Sequence, residues 1–222
     1  MSLVVVLKKA FINLHSMPVF SLLSLGDSYT IGEQVPIRDS FPYQLIQFLR
    51  SDDSSKERNI WLAPEIVAQT GWTTDELSNA IVANRFLPDY DFVTLLVGVN
   101  NQYRGRDVEE FEQEFSALLQ KAIKFAGGHA QHVFVLSIPD WGVTPFAATR
   151  NPELIAQQID AYNKVCCEKA ATPGCHFIDI TESQRENSCE EGFLAADGLH
   201  PSGKEYAKWA DQLANAIRAQ IA

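Results

Sequence analysis

A serine near one end of this chain and an aspartate–histidine pair near the other are of the types that acyl transfer requires. Ser28 ends the apolar run in "VFSLLSLGDSYTIGE" (residues 19–33), with Gly26 and Asp27 before it. Asp197 and His200 lie three residues apart in "DGLHPSG". A serine hydroxyl is a weak nucleophile until a base takes its proton, and an imidazole oriented by a carboxylate is such a base. Pro201 biases His200 towards an extended backbone, and Asp197 on the same loop can reach back to the ring. The tetrahedral intermediate also needs donors for its oxyanion, and glycine N–H groups and asparagine amides are of that kind. Each residue has a plainer reading, because Gly, Asp, Asn and Ser all favour turns. The elements that would position them must therefore decide.

Short β-like runs alternate with helical patterns. The runs are "VFSLLSL" (19–25), "IWLAPEIVAQ" (60–69, with the strand proper after Pro64), "DFVTLLVGV" (91–99), "HVFVLSI" (132–138) and "CHFIDI" (175–180). The third is apolar on both faces, as a central parallel strand should be. Helical spacing of Phe111, Phe115, Leu118, Leu119 and Ala122 follows a capping Asp107 and runs to Gly127. Asn151 and Pro152 open another helix, and Tyr206, Trp209, Leu213 and Ile217 mark one face of the last. "TTDELSNAIVANRF" and a part of 34–50 are shorter candidates. Strands alternating with helices predict an α/β fold, with a parallel sheet covered on both faces.

In such a sheet the strands point one way, and ligands bind outside their C-terminal edge. The five runs are followed by Gly26-Asp27-Ser28, Thr70-Gly71-Trp72-Thr73, Gly98-Val99-Asn100-Asn101, Pro139-Asp140-Trp141-Gly142 and the loop that carries Asp197 and His200. Nucleophile, base, orienter and donors thus fall on one edge, the parts list of an acyl-transfer site.

Four stretches, "GDSYTIGE", "TGWTT", "GVNN" and "DGLHP", occur in an order that resembles the GDSL (SGNH) hydrolases, a family of esterases and lysophospholipases. The resemblance spans most of the chain. It implies a flavodoxin-like α/β/α sandwich of three layers with a five-stranded parallel sheet. It implies Ser28 as nucleophile, His200 as base and Asp197 as its partner. Ser28, Gly71 and Asn100 would form the oxyanion hole. The family commonly has an acid where this chain has Asn101; since that acid is outside the catalytic set, local hydrogen bonding should change and catalysis survive. The Gly-x-Ser-x-Gly elbow of the α/β-hydrolases is absent, because Thr30 stands in the last position.

The implied activity is cleavage of a small-molecule carboxylic ester through an acyl-enzyme, without metal or cofactor. Trp72, Trp141 and Phe146 could line the substrate pocket. The alternative is a catalytically silent flavodoxin-like binding module. A net charge of −10 disfavours nucleic acid, which is held through basic patches. No dinucleotide or phosphate-binding glycine loop occurs, nor any zinc-finger spacing of Cys166, Cys167, Cys175 and Cys189. His15, His129, His132 and His176 lie at the N-terminus or at strand starts, away from the proposed edge. No apolar run reaches transmembrane length, and the first residues lack the order of a secretory signal, which suggests a cytoplasmic protein. One domain over residues 17–222 is expected, with residues 1–16 as an extension that the fold does not need.

Overall fold

The computed structural model describes residues 18–51, 59–187 and 190–221. The expected extension over residues 1–16 and Cys189 lie outside them.

Strands β1 (Val19–Phe20) and β2 (Leu22–Gly26) replace the single run expected at 19–25. The break has a cause at Ser21. Its N–H and its hydroxyl each donate to Asp91 Oδ2 at 2.7 Å, which withdraws that N–H from the ladder. Likewise 60–69 is two elements, β3 (Ile60–Trp61) and β4 (Glu65–Ala68), separated at Pro64. β1 pairs with β3 in a parallel ribbon of two strands.

β5 (Phe92–Leu96), β6 (Val133–Leu136) and β7 (His176–Ile178) complete the main sheet. Its order is β4-β2-β5-β6-β7, with every pair parallel. Helices flank this sheet, giving the three-layer, flavodoxin-like arrangement. β2 and β5 are buried along their whole length. The two polar residues in these buried strands satisfy each other: the Thr94 hydroxyl donates to Ser24 Oγ at 2.9 Å, and the two residues are register partners.

The helices form where capping and periodicity place them. α1 (Ser28–Ile31) and α2 (Phe41–Arg50) follow β2. α3 (Thr74–Ala83) opens with a capping box, in which Glu76 accepts the Thr73 N–H at 2.9 Å. α4 (Val99–Tyr103) and α5 (Val108–Phe125) follow β5. Asp107 occupies the cap position of α5, but its side chain makes no capping bond. α5 closes where the Gly128 N–H reaches back to Ile123 O at 2.9 Å, with Gly127 and Gly128 both at positive φ. In α6 (Pro152–Ala171) the Asn151 side chain accepts the Leu154 N–H at 3.1 Å, as a cap should. α7 (Thr181–Asn187) and α8 (Gly203–Ile221) end the chain.

α8 packs along α2, and α5 packs between α3 and α6. Trp209, Tyr206 and Phe41 fill the space under α8 and are fully buried. Gln44 fixes the start of α8, its amide donating to Gly203 O at 2.8 Å. The loop just before α8 is the one that carries Asp197 and His200, so this packing sets its height over the sheet edge.

Candidate active site

β2 must end in glycine. A Cβ on Gly26 would stand 2.4 Å from the Leu96 carbonyl and 2.0 Å from Thr30 Oγ1. The chain then turns at once into α1. Asp27 caps it: its carbonyl accepts the Thr30 and Ile31 N–H groups at 3.1 and 3.2 Å, and its Oδ1 accepts the Tyr29 N–H at 3.1 Å. Gly32, in the left-handed region at φ 73°, ends the helix after one turn. The turn reading of Gly-Asp-Ser therefore holds, and it is compatible with a nucleophile at Ser28. The turn displays Ser28 at the first helical position, and among the described residues its N–H has no partner. Asp27 is buried, and burial pushes its pKa up to about 7 against the hydrogen bonds that favour the ionised form.

His200 arrives on a braced loop. Leu194 bridges Pro201 antiparallel, and the Ala195 N–H donates to His200 O at 2.8 Å. Its Nε2 lies 3.0 Å from Ser28 Oγ, and its Nδ1 lies 2.6 Å from Asp197 Oδ2. The other carboxylate oxygen accepts the Leu199 and His200 N–H groups, each at 3.0 Å. Partial burial pushes the Asp197 carboxyl up. The His200 ring and these two N–H groups outweigh it and hold the pKa below the ordinary carboxylate value. The His200 ring rests on Tyr29, centroids 5.1 Å apart, and Tyr29 rests on Trp209. Core packing thus fixes the imidazole plane.

Gly71 and Asn100 face the same cavity as Ser28 and His200. Gly71 adopts φ 83°, and among the described residues its N–H is unpartnered. Its carbonyl accepts Arg104 Nη2 at 2.6 Å, which fixes the turn. Asn100 Nδ2 donates one hydrogen to Trp72 O at 2.9 Å. An amide nitrogen carries two, so one remains for a ligand.

The cavity has a volume of about 190 Å³ and includes Trp141 and Phe146 in its wall. Trp72 is not part of that wall; its ring packs against the core, and only its carbonyl serves the site. Tyr103 is a wall residue that the sequence did not single out. It lies one helical turn after Val99, another wall residue, but α4 is too short for periodicity to reveal it. Among the described residues no group of three or more His, Cys, Asp or Glu side chains is placed to hold a metal ion. His129 and His132 precede β6 and His176 opens β7, at strand starts away from the cavity.

Residues 24–208 match the model of the GDSL-like lipase/acylhydrolase family. The chain belongs to that family. Comparison with curated proteins gives no match. Solved structures share the fold. A lipase/acylhydrolase from Enterococcus faecalis superimposes with a TM-score of 0.68 at 20% identity, covering 92% of this chain and 97% of that one. An acetylxylan esterase from Geobacillus stearothermophilus gives 0.68 at 17% identity, covering 90% and 95%. The psychrotrophic esterase EstA from Pseudoalteromonas sp., in a structure inhibited by monoethylphosphonate, gives 0.66 at 14% identity, covering 90% and 98%. Family membership supports ester hydrolysis in general. No helix among the described residues is long and apolar enough to cross a membrane.

Proposed function

We propose that this protein is a serine hydrolase that cleaves small carboxylic esters through an acyl-enzyme on Ser28. The observation that carries this reading is the continuous chain from Ser28 Oγ through the His200 ring to Asp197, at 3.0 and 2.6 Å, with Ser28 and His200 in the wall of one cavity. His200 Nε2 takes the hydroxyl proton as Ser28 Oγ bonds to the ester carbonyl carbon. The carbonyl π electrons move onto oxygen, and the N–H groups of Ser28 and Gly71 and the free hydrogen of Asn100 Nδ2 hold that charge. The tetrahedral species collapses, the bond to the alcohol oxygen breaks, and His200 returns its proton to the leaving alkoxide. Water then repeats the sequence: His200 takes its proton, its oxygen attacks the acyl carbon, and Ser28 leaves with the proton restored. Asp197 keeps the imidazole in one tautomer and stabilises it when protonated. No step requires a metal or an organic cofactor.

No observation favours a silent binding module, since every group this chemistry needs is present and oriented. Among the described residues Cys166, Cys167 and Cys175 are free thiols, and this chemistry uses none of them. The test is labelling by ethyl p-nitrophenyl methylphosphonate. One equivalent should attach, and peptide mass spectrometry should place it on Ser28. A protein that keeps its fold and takes up no label is not this enzyme.

A further inference from the structure

The wall of the cavity is uneven in a way that bears on the substrate. Its volume of about 190 Å³ lies below the roughly 300 Å³ at which pockets begin to hold drug-sized ligands. Tyr103 and Phe146 stand about half exposed, at its mouth. Trp141 is buried apart from the face it turns to the cavity. Its indole N–H donates to Gln102 Oε1 at 2.7 Å, and Gln102 Nε2 donates to Gln158 Oε1 at 2.8 Å, so the Gln102 amide cannot turn without loss. The Trp141 carbonyl accepts the Thr144 hydroxyl at 2.7 Å. The turn that bears it is capped by Asp140, which accepts the Gly142 N–H at 2.9 Å and pairs with Arg185 at 2.8 Å. Tyr103 and Phe146 meet the indole edge-on, with centroids 5.3 and 6.1 Å away. Trp141 is therefore the rigid part of the wall, and the exposed rings are the part that can yield.

The two halves of an ester make different demands on such a cavity. The alcohol must leave and water must enter, so the alcohol belongs at the mouth. The acyl group stays bound to Ser28 through both steps and belongs against the fixed wall. Resting on the hydrolase reading above, we infer that the enzyme is selective for short acyl chains, that Trp141 sets the upper length, and that Gln102 is the positioning residue that holds it there.

The experiment varies each half of the ester in turn. On p-nitrophenyl acetate, butyrate and octanoate, kcat/KM should fall at least about tenfold from butyrate to octanoate, since one methylene misfit in an apolar pocket is worth about that much. Acetates of methanol, butanol and octanol should differ far less. Trp141→Ala should raise the octanoate-to-butyrate ratio about tenfold or more, and Gln102→Leu should raise it in the same direction by a smaller factor. A steep dependence on the alcohol with a flat one on the acyl chain would overturn the assignment. So would an unchanged ratio in a folded Trp141→Ala protein. Should Trp141→Ala not fold, the wild-type enzyme decides: ethyl p-nitrophenyl methylphosphonate should inactivate it at least about tenfold faster than ethyl p-nitrophenyl octylphosphonate, whose chain on phosphorus takes the acyl position. Equal rates would refute the length limit. Loss of all labelling would instead refute the hydrolase reading, so the two failures are distinguishable.

Discussion

Asn101 grips Thr74 at both ends. Its Oδ1 accepts the Thr74 N–H at 3.1 Å, and its Nδ2 donates to Thr74 Oγ1 at 2.6 Å. Thr74 Oγ1 in turn donates to Glu114. All of Asn101 and Thr74 is buried. The grip ties the start of α3, and with it the Gly71 turn, to the helix that carries Asn100.

The direction of that chain predicts the effect of restoring the family's acid. An aspartate in place of Asn101 can still accept the Thr74 N–H, but it has nothing to donate. Two carboxylates then compete for one hydroxyl proton. Asn101→Asp should destabilise the fold by about 1–3 kcal/mol, seen as a lower Tm, and should reduce kcat through the displaced turn. That is a larger effect than the family pattern alone suggests. Glu114→Gln should rescue the variant, because the glutamine amide donates to Thr74 and frees its hydroxyl to donate to the introduced carboxylate. A double variant no better in Tm or kcat than Asn101→Asp would show that donor direction does not govern this contact.

Asp27 gives a stability signature with pH. Its folded pKa of about 7 lies above the ordinary value of 3.8, because burial disfavours the charge. The native state thus keeps this proton over a range in which the unfolded chain has lost it. The contribution is fully present below about 3.8, falls as pH rises and is gone above about 7. Asp27→Asn keeps the oxygen that accepts the Tyr29 N–H and carries no charge. Its Tm relative to wild type should rise from about pH 4 to about pH 7 and then level off. Parallel Tm curves for the two proteins would contradict this.

What was legible in the sequence follows from how each signal arises. β5 and the periodic face of α5 could be read because burial imposes composition over many residues. That Ser28, Asp197 and His200 share one edge was legible from their places at strand and loop ends, since parallel strands bring those ends together. The break at Ser21 was not, since it depends on Asp91, which lies far along the chain and reaches Ser21 only in the folded sheet. Trp72 was misplaced for a related reason. Its neighbour Gly71 faces the cavity at a positive φ, while the Trp72 ring packs against the core, an arrangement that appears only in the folded turn. The Asn101–Thr74–Glu114 chain joins three segments, and no spacing within any one of them announces it.

Ser28→Ala separates chemistry from folding. The hydroxyl is buried and its partner is the His200 ring, so its removal costs the fold little. Tm should shift by no more than about 2–4 °C, the equivalent of roughly 1 kcal/mol for a domain of this size. Ester hydrolysis and phosphonate labelling should both vanish. Turnover comparable to wild type on p-nitrophenyl acetate would place the nucleophile elsewhere.

Asn100→Ala tests the assignment of the oxyanion donors. Asn100 is proposed to bond an oxygen that gains charge only as the transition state forms, so its loss should appear in kcat and hardly in KM. Removing one such donor costs about 10²–10³ in turnover. The same substitution frees the Trp72 carbonyl from its 2.9 Å partner, so a lower Tm is expected as well. The contrast with Arg104→Ala separates the two effects. Arg104 braces the Gly71 carbonyl at 2.6 Å from outside the cavity wall, without facing the substrate. Its loss should loosen the turn and lower kcat by a smaller factor than Asn100→Ala. If Arg104→Ala were the more damaging, or if Asn100→Ala raised KM and left kcat near wild type, Asn100 would be a structural brace and the oxyanion would rest on the backbone donors.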